Sequence, residues 1–193
     1  MDEPVVFKRD ARSCVELMED ADGGRVVRKR YLHGRFKQRW TYRLGVHPGQ
    51  KERRAAAWLE RIGVPVVAVM EVSRSGGEVT VVTRWHGPSL DVALAEAGGA
   101  AGAADRARLL SAAGALAERL IERRVFFKDL KASNVVLGPG WPGAVDARLI
   151  DVGSARRGLS GAQRRRMVGM LRATCEAAGA EPGEVAAALP AAD

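Results

Sequence analysis

The chain has 193 residues, of which 47% are hydrophobic and 28% are charged, a composition that supports a packed core and excludes a globally disordered chain. Lysine and arginine together number 31 against 23 aspartates and glutamates, which gives a formal net charge of +8. A length of 193 residues predicts one domain or two small lobes that share a cleft, and no segment approaches the ~18 consecutive apolar residues of a membrane-spanning helix.

The N-terminal segment and the cysteines bear on cellular location. The first ten residues, MDEPVVFKRD, begin with two acids after the methionine and contain no long apolar core, so they do not resemble a signal peptide. Cys14 and Cys175 are too few and too distant for a disulfide framework or a cysteine metal site. We therefore expect a cytoplasmic protein. The three histidines show no metal-ligand spacing, and we expect them in loops or on the surface.

The first part of the chain is predicted to be rich in strands. Residues 14–18 and 25–31 read as strands on either side of the turn-like sequence DADGG. Between Arg25 and Arg54, eleven residues are basic and one, Glu52, is acidic. Such a stretch favours an anionic partner: nucleic acid, an acidic membrane surface or a phosphorylated sugar. No nucleic-acid-binding motif accompanies the charge, so nucleic acid is the least favoured of the three.

A helix and a hairpin are predicted next. Pro48 can open a helix that runs through KERRAAAWLERIG and stops at Gly63. The segments VPVVAVMEV, residues 64–72, and EVTVVTRW, residues 78–85, are predicted to form a β-hairpin around the turn SRSGG. Ser89 then caps a short helix over LDVALAEA.

The second part of the chain is predicted to be mostly helical. Residues 105–124 form a helix whose apolar residues recur at helical spacing: Leu109, Ala113, Leu116 and Leu120. Two short strands, residues 135–137 and 147–150, lie on either side of a Gly/Pro turn. Ser160 and Gln163 fit a capping box at the start of a last main helix.

Lys29 is the first candidate site residue. It lies on the predicted strand 25–31, where Val27 points to the same face. A lysine on the apolar side of a strand needs an anion, and Glu52 is the only acid nearby in the sequence. Taken alone, Lys29 would be interpreted as a surface lysine of the strand.

The sequence FFKDLKASNVVL, residues 126–137, carries three more candidates. Asp129 can orient a hydroxyl and accept its proton, and Lys131 can neutralise charge on a phosphoryl group in transfer. Asn134 offers an amide oxygen to a hard cation such as magnesium. Asp151 follows an apolar run and precedes a glycine by two residues, which suits a metal ligand, although Asp-x-Gly is also a common turn sequence.

Together these sites supply, in kinase order, the parts that phosphoryl transfer requires. The segment FFKDLKASNVVL resembles the kinase catalytic loop, and ARLIDVGSAR resembles the strand and metal-binding turn that follow it. The segments VVRKRYLHGRF, KERRAAAWLERIGVPVVAVMEV and VVTRWHGPSL are similar to the bacterial lipopolysaccharide core kinases, which phosphorylate Kdo or heptose sugars. The resemblance covers roughly residues 14–178.

The resemblance implies a fold and an activity. The fold is an α+β, protein-kinase-like, two-lobed one, with a strand-rich N-lobe at residues 1–86, a reduced and mostly helical C-lobe at residues 87–193, and an ATP cleft between them. The activity is ATP- and Mg²⁺-dependent phosphorylation of a sugar hydroxyl on a lipopolysaccharide-core-type acceptor. The basic N-lobe would meet anionic lipid, placing the protein in the cytoplasm or peripherally at the inner membrane.

The resemblance also gives five residues a role in nucleotide binding. Lys29 would hold the α- and β-phosphates, and Glu52 would fix the lysine side chain. Val27 would pack on the adenine, and the backbone near Arg84 and Trp85 would form the adenine hinge.

The remaining candidates belong to catalysis and metal binding by the same resemblance. Asp129 would be the base or the group that orients the acceptor, and Lys131 would stabilise the γ-phosphate. Asn134 and Asp151 would bind magnesium.

Several positions depart from the kinase pattern. Phe127 stands where the loop usually has histidine and is expected to pack in its place, and Val152 stands where phenylalanine is commoner. No G-x-G-x-x-G precedes Lys29, and Gly23-Gly24 lies only five to six residues before it, so phosphate binding at this turn would be weak or made by the backbone alone. A nucleotide-binding pseudokinase scaffold therefore stays open as an alternative.

The acceptor also has alternatives. No Ala-Pro-Glu segment follows the Asp-x-Gly turn, which favours a small or lipid-linked acceptor over a protein. A protein or small-molecule kinase of the same superfamily is the alternative within the enzyme class. The run Arg164 to Arg166 is expected on the solvated face of the last helix.

Overall fold

The computed structural model describes residues 4–11, 13–32, 40–75, 78–98, 102–138 and 145–191. The chain divides into two compact units: Met1–Trp58 with Val67–Trp85, and Leu59–Val66 with His86–Asp193. The first holds an antiparallel sheet, and the second holds most of the helical residues. The fold is therefore of the mixed α+β kind that the sequence predicted.

The sheet of the first unit has five strands in the order β1-β2-β3-β5-β4, and every neighbouring pair is antiparallel. The strands are Val5–Arg9 (β1), Ser13–Glu19 (β2), Arg25–Tyr31 (β3), Val69–Ser75 (β4) and Glu78–Arg84 (β5). The strands predicted at 14–18, 25–31 and 78–85 are confirmed. Strand β1 was not predicted, because all five of its residues are exposed and show no buried alternation.

The predicted helix after Pro48 is confirmed. Helix α1 is Pro48–Arg61, with proline at the first helical position, where its missing N–H costs nothing. Gly63, two residues past the last residue of α1, has a φ of +78°, the left-handed conformation typical of the residue that follows a helix. His47, just before the helix, is 2% exposed, and its Nδ1 accepts a hydrogen bond from Gly49 N–H at 3.2 Å. His47 therefore lies in a loop, as one of the two expectations had it, but it is buried.

The strand predicted at 64–72 begins later than expected. Strand β4 starts at Val69, and the preceding residues pair elsewhere. Pro65 O accepts a hydrogen bond from Leu149 N–H at 3.2 Å, and Val66 forms an isolated parallel bridge with Leu149. Pro65 has no N–H to donate to a hairpin partner, which agrees with its position outside β4. Its carbonyl and Val66 pair with Leu149 instead.

The second unit combines four helices with two short antiparallel ladders. The helices are Leu90–Glu96 (α2), Ala103–Glu122 (α3), Gly161–Ala177 (α4) and Pro182–Ala188 (α5). The strands are Val125–Phe127 (β6), Val135–Leu137 (β7), Ala147–Leu149 (β8) and Ala155–Arg157 (β9), paired β6 with β9 and β7 with β8. The predicted helix at 105–124 and the strands at 135–137 and 147–150 are confirmed. Strands β6 and β9 and helix α5 were not predicted, because each is too short to show a period.

The core of the second unit follows the predicted helical stripe. The four residues of that stripe on α3 are all at most 4% exposed: Leu109, Ala113, Leu116 and Leu120. The capping box of α4 is confirmed, since Gln163 N–H donates to Ser160 Oγ at 3.3 Å and Ser160 N–H donates to Gln163 Oε1 at 3.0 Å.

Ser89 stands at the N-cap of α2 as expected, but it makes no capping bond to the backbone. Its hydroxyl donates instead to the carboxylate of Asp91, which also accepts from Val92 N–H. The predicted cap position is right and the predicted bond is wrong. Within the described ranges, no helix has the length and apolar content needed to cross a bilayer.

Candidate active site

The residues predicted to bind nucleotide all belong to the first unit. Val27 and Lys29 lie on β3, and Arg84 ends β5. Trp85 follows directly, and its N–H donates to Arg25 O at 2.9 Å, which extends the β3–β5 pairing by one residue. The Trp85 ring stacks on Phe7 at 5.6 Å between centroids. The Trp85 side chain is therefore a packing group. The prediction that this segment binds adenine concerns only the backbone of Trp85.

Lys29 and helix α1 lie on the same face of the sheet. Lys29 pairs in register with Val81 on β5, and directly paired residues share a face. Gly49, in the first turn of α1, approaches Val81 so closely that a Cβ there would fall 2.5 Å from Val81 Cγ2. Glu52 follows one turn later on the same side of the helix. The helix is therefore seated on the face that carries Lys29.

The environment of Glu52 suits its predicted role. The residue is 6% exposed, and a buried carboxylate is tolerated only when it is paired or hydrogen-bonded. The Lys29 ammonium lies 5.4 Å from the centroid of the Tyr31 ring on the same face. A direct Lys29–Glu52 ion pair stays a prediction.

Two other basic residues of β3 are neutralised on the opposite face. Arg28 and Arg30 each approach the carboxylate of Glu16 to 2.9 Å. Burial raises the pKa of Glu16, but hydrogen bonds from Arg28, Cys14 and Arg30 outweigh it and leave the pKa below its ordinary value. This part of the basic stretch therefore serves the fold. Residues 33–39, which contain three more of the eleven cations, lie outside the described residues.

The β2–β3 turn stands where a kinase has its glycine-rich loop. Asp20 closes this turn: its Oδ1 accepts hydrogen bonds from Asp22 N–H at 3.0 Å and Gly24 N–H at 2.6 Å. Gly23 takes a positive φ of 75°. A side-chain carboxylate thus occupies backbone donors that a phosphate could use. We did not predict this role for Asp20, although an aspartate opening a Gly-Gly turn is typical of an Asx turn.

The loop of the second unit that carries Asp129, Lys131 and Asn134 is anchored on both sides. Phe127 is fully buried at the end of β6, which agrees with packing in place of histidine. Leu130 is also fully buried, and Ala132 N–H donates to Thr174 Oγ1 on α4 at 2.9 Å. Asp129 and Lys131 are half-buried between these anchors. The apolar frame of the loop therefore fixes its backbone and leaves its polar residues at the surface of the unit.

Hydrogen bonds tie the loop to the Asp-x-Gly turn. Asn134 is 7% exposed, and its Nδ2 donates to Asp129 O at 2.8 Å. Asn134 O accepts from Ile150 N–H at 3.0 Å, which places the residue before Asp151 against the loop. Asp151 itself has φ 56° and ψ 36°, a left-handed conformation that is uncommon outside glycine and is often found at functional sites.

These residues fit magnesium by their chemistry. Because Asn134 Nδ2 donates to Asp129, the amide oxygen Oδ1 is the atom left to act as a ligand, and Asp151 adds a carboxylate. Magnesium prefers oxygen ligands and usually keeps several from water or phosphate. Among the described residues, no group of three or more His, Cys, Asp or Glu side chains can hold a metal. The protein would therefore supply only part of the coordination shell.

Comparison with known proteins identifies the family. A search of curated protein sequences finds no match. The sequence profile of the lipopolysaccharide kinase (Kdo/WaaP) family matches residues 5–177, which include the sheet of the first unit, the catalytic loop and the Asp-x-Gly turn. The resemblance noted in the sequence is thereby confirmed, and with it the prediction of a phosphotransferase. The chain belongs to the lipopolysaccharide kinase (Kdo/WaaP) family and is a kinase.

Proposed function

We propose that the chain transfers the γ-phosphoryl group of ATP to a hydroxyl of a lipopolysaccharide-core sugar, with magnesium as cofactor. The observation that carries the proposal is the hydrogen bonding of Asn134 to Asp129 and Ile150, which joins the catalytic loop to the metal turn. The two units would form the lobes of a kinase-like fold, residues 1–86 and 87–193, with ATP between them.

The first unit would bind the nucleotide. Lys29 would contact the α- and β-phosphates, held by the buried carboxylate of Glu52. Val27, half-buried on the same face as Lys29, would pack on the adenine ring. The backbone at Arg84 and Trp85 would form hydrogen bonds with the edge of that ring. The close contact of Gly49 with Val81 supports this arrangement, because it fixes α1, and with it Glu52, on that face.

The second unit would perform the transfer. The acceptor oxygen forms a bond to the γ-phosphorus as the bond from that phosphorus to the β–γ bridging oxygen breaks, and ADP leaves. The hydroxyl proton passes to the Asp129 carboxylate, and Lys131 stabilises the negative charge of the phosphoryl group. Asn134 and Asp151 would hold magnesium, which neutralises charge on the phosphates when it is bound.

The experiment is phosphotransfer from γ-labelled ATP to purified lipopolysaccharide core oligosaccharide in the presence of magnesium. We expect label on the oligosaccharide with the wild type and a loss of about 10²–10⁴-fold with Asp129→Ala, the range for removal of a general base. Equal label with both proteins, or none with the wild type, would contradict the proposal.

A pseudokinase scaffold is the second candidate, and the closed β2–β3 turn favours it. Asp20 already accepts hydrogen bonds from the Asp22 and Gly24 amides, so this turn would have few free N–H groups to bind the phosphates of ATP. A scaffold would bind nucleotide without transfer, and the labelled-ATP experiment would then give no product although ATP stabilises the fold.

We further propose that the first unit contacts anionic lipid at the inner face of the cytoplasmic membrane. Trp40, Leu44 and Val46 are large apolar side chains with exposed fractions of 49%, 67% and 45%. The exposed cations Lys51 and Arg53 follow on α1. Apolar side chains flanked by cations are typical of peripheral membrane contact.

Co-sedimentation with vesicles tests this contact. The wild type should bind vesicles containing anionic lipid, and binding should weaken as salt rises. Lys51→Glu with Arg53→Glu should reduce binding, whereas Arg123→Glu, an exposed cation in the second unit, should change it little. Equal binding to neutral and anionic vesicles would contradict the proposed contact.

A further inference from the structure

A pocket of about 460 Å³ lies in the second unit, next to both catalytic motifs. Strands β6 and β9 contribute to its wall, since Phe126 pairs in register with Arg156 and both line it. Lys128, which precedes Asp129, and Ser154, three residues after Asp151, line it as well. The pocket is therefore bounded by the residue before the proposed base and by the turn after the proposed metal ligand.

The lining of this pocket is strongly basic. Lys128, Arg156 and Arg166 all line it. The Arg156 guanidinium lies 4.8 Å from the centroid of the Phe126 ring, an arrangement that holds a cation in place. Among the described residues that line the pocket, none is acidic. Three cations from three separate elements thus surround one space without a carboxylate to neutralise them.

A buried hydroxyl without a hydrogen-bond partner lies at the same place. Ser154 Oγ is inaccessible to solvent and has no hydrogen-bond partner among the described residues. Buried polar atoms are nearly always hydrogen-bonded, so an orphan at a pocket wall requires explanation. The first turn of α4 also lines the pocket through Ala162 and Gln163, and the N-terminal end of a helix favours negative charge.

We propose that this pocket is the acceptor subsite and that it binds an oxyanion, carboxylate or phosphate, carried by the sugar near the hydroxyl that is phosphorylated. The inference rests on the proposed function and names the class of acceptor. Arg156 and Arg166 bind the anion, Ser154 donates a hydrogen bond once its side chain turns into the pocket, and Lys128 keeps the sugar beside Asp129. A volume of about 460 Å³ lies within the range of small-molecule sites.

The sequence could not show this subsite. Arg164, Arg165 and Arg166 appear together in the sequence as a solvated run. Arg165 and Arg166 are both exposed in the fold, and of these two only Arg166 lines the pocket. Arg165 is therefore a matched control, because it has the same charge on the same helix.

The test is calorimetric binding of purified core oligosaccharide to the full chain without ATP, so that it does not depend on phosphotransfer. We expect Arg156→Gln and Arg166→Gln each to weaken binding about tenfold, since each removes a charge-assisted hydrogen bond. Arg165→Gln should bind as the wild type does, and Arg156→Lys should recover part of the loss. Thermal unfolding of each variant checks that it is folded.

Modified oligosaccharides identify the anion. If phosphate is bound, enzymatic dephosphorylation should weaken wild-type binding as much as Arg156→Gln does and should leave that variant unaffected. If carboxylate is bound, carboxyl reduction should have that effect instead. The inference is overturned if both glutamine variants bind native oligosaccharide as the wild type does, or if the wild type does not bind it. Arginine-dependent binding without any phosphotransfer would instead overturn the proposed function and leave the subsite standing.

Discussion

At the scale of single residues, the two aspartates of the proposed site have different surroundings. Asp129 is half-buried in a loop fixed by Phe127 and Leu130. Asp151 is exposed and holds a left-handed backbone conformation. The first environment suits a group that positions a hydroxyl, and the second suits a ligand that meets a metal at the surface of its unit.

This difference predicts separable effects of two substitutions. Asp129→Ala should reduce phosphotransfer by about 10²–10⁴-fold but keep most of the magnesium-dependent stabilisation by ATP, because Asp129 is assigned to the acceptor hydroxyl. Asp151→Ala should remove both. Paired phosphotransfer and thermal-unfolding measurements on the two variants check this, and loss of ATP stabilisation in Asp129→Ala would show that the roles are wrongly divided.

Cys175 predicts a dependence of stability on alkaline pH. Burial raises the pKa of its thiol from 9.0 to about 12. Above pH 9 the unfolded thiol ionises while the folded thiol stays protonated, so this contribution to stability is lost as pH rises from 9 towards 12. The loss is at most about 1.4 kcal/mol per pH unit.

Urea unfolding of the wild type and Cys175→Ala at pH 8 and pH 10 measures this effect. The variant should be less stable at both values because a buried side chain is shortened, but the fall between them should be smaller by about 1 kcal/mol. An equal fall in the two proteins would mean that the thiol ionises normally in the folded state.

The site residues visible in the sequence are those with fixed spacing. Asp129, Lys131 and Asn134 stand at kinase offsets, and Asp151 follows in order. Asp20 and Arg156 escaped prediction because their roles depend on partners: backbone amides in a turn for Asp20, and the Phe126 ring across a ladder for Arg156. Neither partnership leaves a periodic or motif-like trace in the chain.

At the scale of elements, the seating of helix α1 on the sheet is the most consequential contact. Gly49→Ala should destabilise the fold by about 1–3 kcal/mol, because the new methyl group meets Val81 in a packed region. It should also weaken ATP binding, since any shift of α1 moves Glu52. Gly169→Ala is the control, because a Cβ at Gly169 meets nothing within 4 Å.

Chemical unfolding and ATP titration of both glycine variants provide the measurement. Gly169→Ala should be neutral or more stable by up to about 1 kcal/mol, as expected for alanine in a helix. If Gly49→Ala is as stable as the wild type, α1 is not held against Val81 as closely as described.

Elements long enough to repeat their hydrophobic pattern several times were predictable from the sequence, and short elements were not. The stripe on α3 and the capping box on α4 follow from local spacing alone. The three-residue strands β6 and β9 have no period to detect, and β4 starts late because Pro65 and Val66 pair with Leu149. Such choices between partners far apart in sequence are tertiary effects that local patterns do not encode.

At the scale of the whole molecule, the net charge of +8 has more than one use. Arg28 and Arg30 serve the fold through Glu16, whereas Arg156 and Arg166 face a pocket. The sequence predicted the α+β class and the family, because its motifs span most of the chain. Composition could not predict which basic residues stabilise the fold and which line the pocket, because this depends on which of them lie next to a carboxylate in the folded chain.

The proposed function requires both Lys29 and Asp151 for the magnesium-dependent binding of ATP. The most direct measurement is the thermal unfolding midpoint with ATP, with and without magnesium. At about 100 times the dissociation constant, ATP should add about 2.7 kcal/mol, which for a chain of this size raises the midpoint by about 5–10 °C.

We predict this magnesium-dependent rise for the wild type and for Arg165→Gln, and its loss in both Lys29→Ala and Asp151→Ala. A rise that persists in either alanine variant would contradict the proposed function.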